Sequence, residues 1–193
     1  YLNKIIGFKD TEPVKIITGI RRSGKSSLLK LMIEHLKENG ILPEQIVEMN
    51  FESYAFKDMS ADDVYNYVKE RICENKRTYL FFDELQRVPS WETAINACRV
   101  DFNCDIYITG SNAYLLSSEY ATYLSGRCVE IKVLPLSFKE FLMANGKGHF
   151  AELLDKQDFE MITSFKQTYI DALKHYYFVG GMPEAVQSFV ENK

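Results

Sequence analysis

The sequence TGIRRSGKSS, residues 18–27, follows the apolar run VKII at residues 14–17 and precedes the segment SSLLKLMIEHLKE. It contains the pattern G-x-x-x-x-G-K-S, from Gly19 to Ser26. In the segment that follows, apolar side chains recur at the three- and four-residue spacing of a helix. They are Leu28, Leu29, Met32, Ile33 and Leu36. A strand, a glycine-rich turn and a helix N-terminus in this order predict a loop that binds phosphate groups.

The residue types of this loop fit a nucleoside triphosphate bound with a metal ion. The two glycines allow positive φ angles, so that consecutive N–H groups can point at phosphate oxygens beside the helix N-terminus. Lys25 is predicted to contact the β- and γ-phosphates, and the Ser26 hydroxyl is predicted to bind Mg²⁺. The full predicted nucleotide-binding set is Gly19, Ile20, Arg21, Arg22, Ser23, Gly24, Lys25, Ser26 and Ser27. The alternative, a glycine turn capped by serines, is disfavoured by the flanking strand and helix.

A second polar site follows another predicted strand. The stretch TYLFFDELQ, residues 78–86, is an apolar run that ends in the adjacent carboxylates Asp83 and Glu84. An open α/β sheet exposes groups to a ligand at its strand ends. Asp83 is therefore predicted to hold Mg²⁺ through water, and Glu84 to polarise an attacking water as the catalytic base. The alternative is a solvated acidic turn after an edge strand, which the continuous apolar run argues against.

Four further polar residues lie at or near the ends of predicted strands. Asn112, with Ser111 as second choice, ends the run DIYITGSN and is predicted to contact the γ-phosphate or position the water as a catalytic residue, to cap a helix, or to do both. Arg127 precedes the last strand and either stabilises transition-state charge, in its own chain or a neighbouring one, or closes a helix end. Asn50 ends the second strand, and we hypothesise that it contacts Glu84.

The composition is that of an ordinary globular protein. The 193 residues are 46% hydrophobic and 26% charged, with a formal net charge of −4. A DNA partner therefore gains no support from the net charge, although a local basic patch would allow one. The four cysteines have no metal-binding spacing, which is typical of thiols in a reducing compartment. The sequence has neither a membrane-spanning run of ~20 apolar residues nor a signal peptide, so we predict a cytoplasmic protein without a membrane partner.

Short apolar runs alternate with helical patterns over the first two thirds of the chain. Strands are predicted at residues 14–18, 46–51, 78–82, 105–109 and 128–133, and helices at 25–38, 61–75, 91–99 and 112–124. This alternation favours a parallel sheet with helices on both faces. After Val133 only helical patterns follow: one helix begins with a capping box at Ser137 and Glu140, and others are predicted at 158–179 and 183–191. We therefore predict a first domain over residues 1–135 and a small helical, lid-like region over 136–193.

Five blocks of the sequence, in this order, resemble the predicted AAA-type ATPases of bacteria and archaea. They are GIRRSGKSSLL, YLFFDELQRVPSWE, ITGSNAYLLSSE, LSGRCVEIKVLPLSFKEFL and GGMPEAV. The resemblance implies a P-loop NTPase fold, a three-layer α/β sandwich whose central parallel sheet has the strand order 5-1-4-3-2. It also implies ATP rather than GTP, in agreement with the lack of an N-K-x-D motif. In that family a C-terminal domain of unknown function follows, so the resemblance implies that this domain is truncated here.

Three functions are compatible with these predictions. The first is an enzyme that hydrolyses ATP with Mg²⁺, using a water activated by Glu84. The second is a slow nucleotide-dependent switch, read through movement of the helical region by a protein partner, by DNA or within a homo-oligomer. The third is a P-loop kinase. It fits least, because adjacent carboxylates favour water as the acceptor and the sequence shows no arginine-rich closing lid.

Overall fold

The computed structural model describes residues 1–111 and 126–192. Their contacts divide the chain into two units. The first consists of the described residues of Tyr1–Ile20 and Lys25–Val133, and the second of Arg21–Gly24 and the described residues of Leu134–Lys193. The domain boundary between residues 135 and 136 stays a prediction, and the predicted helix at 112–124 lies outside the described residues. Within the described ranges, no helix is both long enough and apolar enough to span a membrane.

The first unit is built on a parallel sheet. Its strands are β1 (Val14–Gly19), β2 (Ile46–Asn50), β3 (Thr78–Asp83), β4 (Cys104–Ser111) and β5 (Cys128–Val133). Their order across the sheet is β2-β3-β4-β1-β5, and every neighbouring pair is parallel. This is the predicted order 5-1-4-3-2 read from the other edge. The predicted P-loop NTPase fold is therefore confirmed.

Helices cover both faces of this sheet. They are α1 (Leu2–Ile6), α2 (Lys25–Glu38), α3 (Ala61–Lys69) and α4 (Trp91–Asp101). Successive strand residues point to opposite faces, so Ile17 joins a buried cluster with residues of α1 and α2, whereas Ile16 joins a second cluster with residues of α3 and α4. Burial on both faces explains why the strands read as continuous apolar runs.

Helix α3 is shorter than the sequence pattern predicts, since it ends at Lys69 instead of near residue 75. Beyond its end, the Cys73 N–H donates to the Thr78 hydroxyl oxygen at 3.0 Å, and the Cys73 thiol donates to the carbonyl oxygen of Glu44. The N–H of Cys73 is thus bonded to the start of β3. The helical periodicity of the sequence does not report such a tertiary contact.

The regular elements described in the second unit are helices: α5 (Phe138–Ala144), α6 (Gly148–Lys156), α7 (Phe159–Ser164), α8 (Lys166–Val179) and α9 (Pro183–Glu191). The capping box is confirmed, because Ser137 and Glu140 bind each other's backbone N–H groups. Helix α6 is not predicted, since its N-cap residue, Lys147, makes no side-chain cap. The predicted helix at 158–179 is two helices that meet at Phe165.

Buried acids of the first unit lead to a prediction for alkaline pH. Burial raises the pKa of the Cys98 and Cys104 thiols to about 12. Burial, together with hydrogen bonds to Asp10 and Asp105 respectively, also raises the pKa of the Tyr79 and Tyr107 hydroxyls.

The folded state therefore holds these four protons at pH values where the unfolded chain has released them. Their contribution to stability is complete below ~8.5, where unfolded thiols begin to ionise, and is lost progressively as the pH rises toward the folded pKa values. Burial lowers the pKa of Lys15, so this residue makes the free energy of unfolding rise with pH. It is a single group, however, and the two thiols and two phenols act the other way. We expect the free energy of unfolding, measured by urea titration, to fall between about pH 8 and about pH 10.5. A free energy that stays constant or rises over this interval would contradict the prediction.

Candidate functional site

Polar side chains gather at the carboxyl edge of the sheet in the first unit. The ends of β1, β3 and β4 lie side by side there, with Gly19 paired to Ser111 and Phe82 paired to Ile108. Helix α2 begins at Lys25, after a turn that leaves the end of β1. This edge is where open α/β sheets bind ligands.

The turn between β1 and α2 has the backbone that its glycines predict. Gly24 has a φ of 97°, a conformation that a side chain would penalise, and Arg22 also has a positive φ, of 64°. The Ser23 side chain is buried, and its hydroxyl has no hydrogen-bond partner within residues 1–111 and 126–192. The exposed members of the predicted nucleotide-binding set are Ile20, Arg21, Arg22 and Ser27.

Lys25 is a buried cation at the start of α2. Its side chain is 4% exposed, and Nζ donates to the carbonyl oxygens of Gly19 at 3.3 Å and Ile20 at 3.0 Å. Among the residues that the structure describes, no carboxylate lies within 4.0 Å of this ammonium. A buried charge without an opposite charge is costly, so this arrangement favours an anionic ligand.

Ser26 and Asp83 are brought together by α2 and β3. The Ser26 hydroxyl donates to Asp83 Oδ1 at 3.0 Å, and the Asp83 carboxylate is buried. The same oxygen also accepts a short hydrogen bond from the Thr109 hydroxyl on β4. Hydroxyl and carboxylate oxygens are the hard ligands that Mg²⁺ prefers. The donor set fits the predicted metal, and the roles of Ser26 and Asp83 as its ligands stay predictions.

Glu84 directly follows β3 in a left-handed conformation, with φ 56° and ψ 41°. Its carboxylate oxygen Oε2 accepts a hydrogen bond from Gln86 Nε2 at 2.5 Å. The hypothesised contact from Asn50 is not among the hydrogen bonds of the described residues, where Asn50 Oδ1 accepts from the Glu52 N–H at 2.8 Å and closes a local turn. The side chain that binds the predicted base is therefore Gln86.

Sequence reasoning missed both Thr109 and Gln86. Thr109 is the last residue of the apolar run DIYIT and is fully buried. Buried hydroxyls nearly always have hydrogen-bond partners, so a threonine in a strand that reads as core was a usable signal. Gln86 offered no comparable signal, because its contact depends on the turn over Leu85–Arg87.

Asn112 and Arg127 are the remaining predicted catalytic residues. Asn112 lies outside the described residues, and Ser111 is the last residue of β4. Arg127 immediately precedes β5, and its carbonyl oxygen accepts from the Val14 N–H at 2.9 Å. Val14 and Arg127 therefore mark the amino edge of the sheet. The carboxyl edge lies five strand residues away, at Val133, or ~16 Å.

A contact from Arg127 to phosphates held by its own chain is therefore wrong, because an arginine side chain does not span that distance. Its guanidinium is on an exposed residue, so a role at the site of a neighbouring chain stays a prediction.

Comparison with known sequences agrees with this geometry. A family model described as "AAA domain" matches residues 11–142. An uncharacterized protein of Haemophilus influenzae is 48% identical over 158 residues, which are 81% of this chain and 40% of that protein. An uncharacterized protein of Methanocaldococcus jannaschii is 32% identical over 172 residues, which are 89% of this chain and 36% of that protein. The chain thus spans well under half the length of both relatives.

Solved structures share the fold at low sequence identity. A DNA polymerase III gamma subunit-related protein from Thermotoga maritima superposes with a TM-score of 0.54 at 14% identity, covering 90% of this chain and 57% of that one. PCH-2 of C. elegans gives 0.53 at 16% identity, covering 80% and 44%. Cdc6p of Pyrobaculum aerophilum gives 0.50 at 13% identity, covering 73% and 46%. At these identities, the likeness shows the fold alone.

Proposed function

The chain belongs to the AAA domain family, and from that membership and the carboxyl-edge geometry we propose that it binds ATP with Mg²⁺ and hydrolyses the ATP. AAA domains are nucleotide-binding domains of the ATPase type, so nucleotide binding follows from the family. The choice of ATP, the metal and hydrolysis are the proposal. One observation carries it: Ser26 of the glycine-rich loop pattern is hydrogen-bonded to Asp83, and Asp83 is followed by Glu84.

Binding of the nucleotide is assigned to the loop and to Lys25. The ammonium of Lys25, now bonded to two carbonyl oxygens, would gain the opposite charge that it lacks by contacting the β- and γ-phosphates. The N–H groups of the turn and the N-terminus of α2 add partial positive charge at the same place. These groups bind phosphate through charge and do not distinguish bases, so ATP specificity rests on the family resemblance.

Ser26 and Asp83 would hold the metal ion, with Asp83 acting through water. When bound, Mg²⁺ supplies positive charge that neutralises the phosphate oxygens. What these two residues do themselves is provide oxygen ligands at fixed positions, since each is already hydrogen-bonded to the other. A site with its ligands already in place binds a metal at a lower entropic cost.

Glu84 is assigned the role of the base. Its carboxylate would accept a proton from the water that attacks the γ-phosphorus, and ADP would leave with the β–γ bridging oxygen. The hydrogen bond from Gln86 holds one carboxylate oxygen in place. Asn112 keeps its predicted contact with the γ-phosphate, and Arg127 keeps its predicted action at a neighbouring chain in a homo-oligomer.

A slow nucleotide-dependent switch is the second candidate, and the Gln86 contact favours it. The carboxylate oxygen Oε2 of Glu84 is occupied by the Gln86 amide at 2.5 Å, so it can accept a proton from water only after that hydrogen bond opens. Turnover would then wait for a change in Gln86, and a protein or DNA partner could supply that change. Both relatives are more than twice as long as the segment they share with this chain, so the partner of the whole protein also belongs to this proposal.

The direct test measures phosphate release by the purified protein with ATP and Mg²⁺. We expect release with ATP and Mg²⁺, and none when the metal is chelated, because Ser26 and Asp83 are its assigned ligands. GTP in place of ATP tests the nucleotide preference, and added DNA tests that partner. Binding of a fluorescent ATP analogue without any phosphate release would favour the switch over the enzyme. An absence of binding would contradict both.

A further inference from the structure

We propose that Thr109 is a positioning residue that fixes both carboxylates of the site, Asp83 through its side chain and Glu84 through its backbone. The inference rests on the proposed function, which gives these two carboxylates separate roles. Thr109 itself contacts neither nucleotide nor water in this proposal. It acts through the two residues that do.

The position of Thr109 follows from the sheet. Strand β4 lies between β1 and β3, and Ile108 is paired with Phe82 of β3. The next residue along each strand is Thr109 on β4 and Asp83 on β3, so these two lie beside each other at the carboxyl edge. The Thr109 side chain is 0% exposed, and a hydroxyl buried to that extent must find its partners within the protein.

Thr109 makes two hydrogen bonds with one hydroxyl. The hydroxyl donates to Asp83 Oδ1, and its oxygen accepts from the Glu84 N–H at 3.0 Å. A hydroxyl has one donor and two acceptor positions, so both bonds form at once. Ser26 donates to the same Asp83 oxygen from α2. The Asp83 carboxylate is thus held by hydroxyls from two different elements.

The second bond holds a residue in an unfavourable conformation. Glu84 has a φ of 56°, in the left-handed region that is disfavoured for residues with a Cβ atom. This conformation turns the chain out of β3 and into the turn over Leu85–Arg87, where the Glu84 carbonyl accepts from the Arg87 N–H at 3.2 Å. The Thr109 bond at the N–H and the Arg87 bond at the carbonyl together keep Glu84 in that turn.

The experiment compares three variants of the purified chain. Thr109→Val removes the hydroxyl and keeps the branched shape, whereas Thr109→Ser keeps the hydroxyl. Thr78→Val is the matched control, since Thr78 is also 0% exposed and also accepts a backbone N–H, from Cys73, but at the amino edge. The measurements are the thermal midpoint, the affinity for a fluorescent ATP analogue with Mg²⁺ and with chelator, kcat and KM, and hydrogen exchange at the Glu84 amide by NMR.

For Thr109→Val we expect about tenfold faster exchange at the Glu84 amide, because one hydrogen bond is lost there. We expect kcat and the Mg²⁺-dependent gain in affinity each to fall by roughly tenfold, while affinity with chelator stays within about twofold of the parent. Thr109→Ser should restore all three quantities, and Thr78→Val should lower only the thermal midpoint.

Two outcomes would overturn the inference. In one, Thr109→Val keeps the parent's exchange rate at Glu84 and its Mg²⁺ dependence. In the other, Thr109→Ser is as defective as Thr109→Val, which would assign the effect to packing. If the parent itself releases no phosphate, the proposed hydrolysis fails, whereas the inference still stands or falls on amide exchange, which is read without nucleotide.

Discussion

Glu84→Gln is expected to lower ATP turnover by roughly 10²-fold or more while ATP and Mg²⁺ remain bound with near-parent affinity. The amide has almost the shape of the carboxylate but cannot accept a proton from water. The left-handed backbone at Glu84 and its N–H bond to Thr109 do not involve the carboxylate, so both should persist in the variant. The loss should therefore appear in kcat and not in the nucleotide affinity.

The matched control for this prediction is Glu52→Gln, which makes the same change at a nearby glutamate. Glu52 is exposed and pairs with Arg87 at 2.9 Å, and no role in the site is assigned to it. Its turnover should equal that of the parent. If Glu84→Gln releases phosphate as fast as the parent does, Glu84 is not the base. If it also loses nucleotide affinity, the loss of turnover reports binding and the assignment again fails.

The strands of the sheet could be predicted because each is an apolar run that the sequence shows directly. Residues 128–133 are predicted as a strand, and β5 covers those residues. Parallel strands buried on both faces must be apolar throughout, and between them glycine-rich or polar turns stand out. Helix α2 has the same residues as its prediction, residues 25–38, because its apolar face and its start after Gly24 are both visible in the sequence.

The contacts within the site were not predictable to the same degree. Asp83 and Glu84 are visible as polar residues at the end of an apolar run, but which side chains bind them depends on register and turn geometry. The Glu84 carboxylate is bound by Gln86, two residues away in a left-handed turn, whereas the sequence suggested Asn50 on a neighbouring strand. Arg127 differs, because a residue that precedes a strand of a parallel sheet lies at the amino edge of that sheet. The predicted strand at 128–133 therefore already placed Arg127 at the edge away from the phosphates, and the parallel pairing of Val14 with Cys128 agrees.

Lys25→Ala is expected to weaken ATP binding by about 10- to 100-fold, since a charge-assisted contact to phosphate contributes on the order of 1.5–3 kcal/mol. Lys30→Ala is the control, because it removes the same charge from an exposed position of the same helix. Titration with a fluorescent ATP analogue measures both. Unchanged affinity in Lys25→Ala would contradict the assignment of the loop.

The stability of the nucleotide-free protein should change in a different way. Most substitutions of a buried side chain destabilise a protein, but Lys25 is a buried ammonium whose described partners are two carbonyl oxygens. Removing it relieves the cost of an uncompensated buried charge, which offsets the lost packing. We therefore expect the thermal midpoint of Lys25→Ala without ATP to equal or exceed that of the parent, while the rise that ATP causes in the parent is absent. A variant that is less stable and still responds to ATP would show that Lys25 serves the fold and not the ligand.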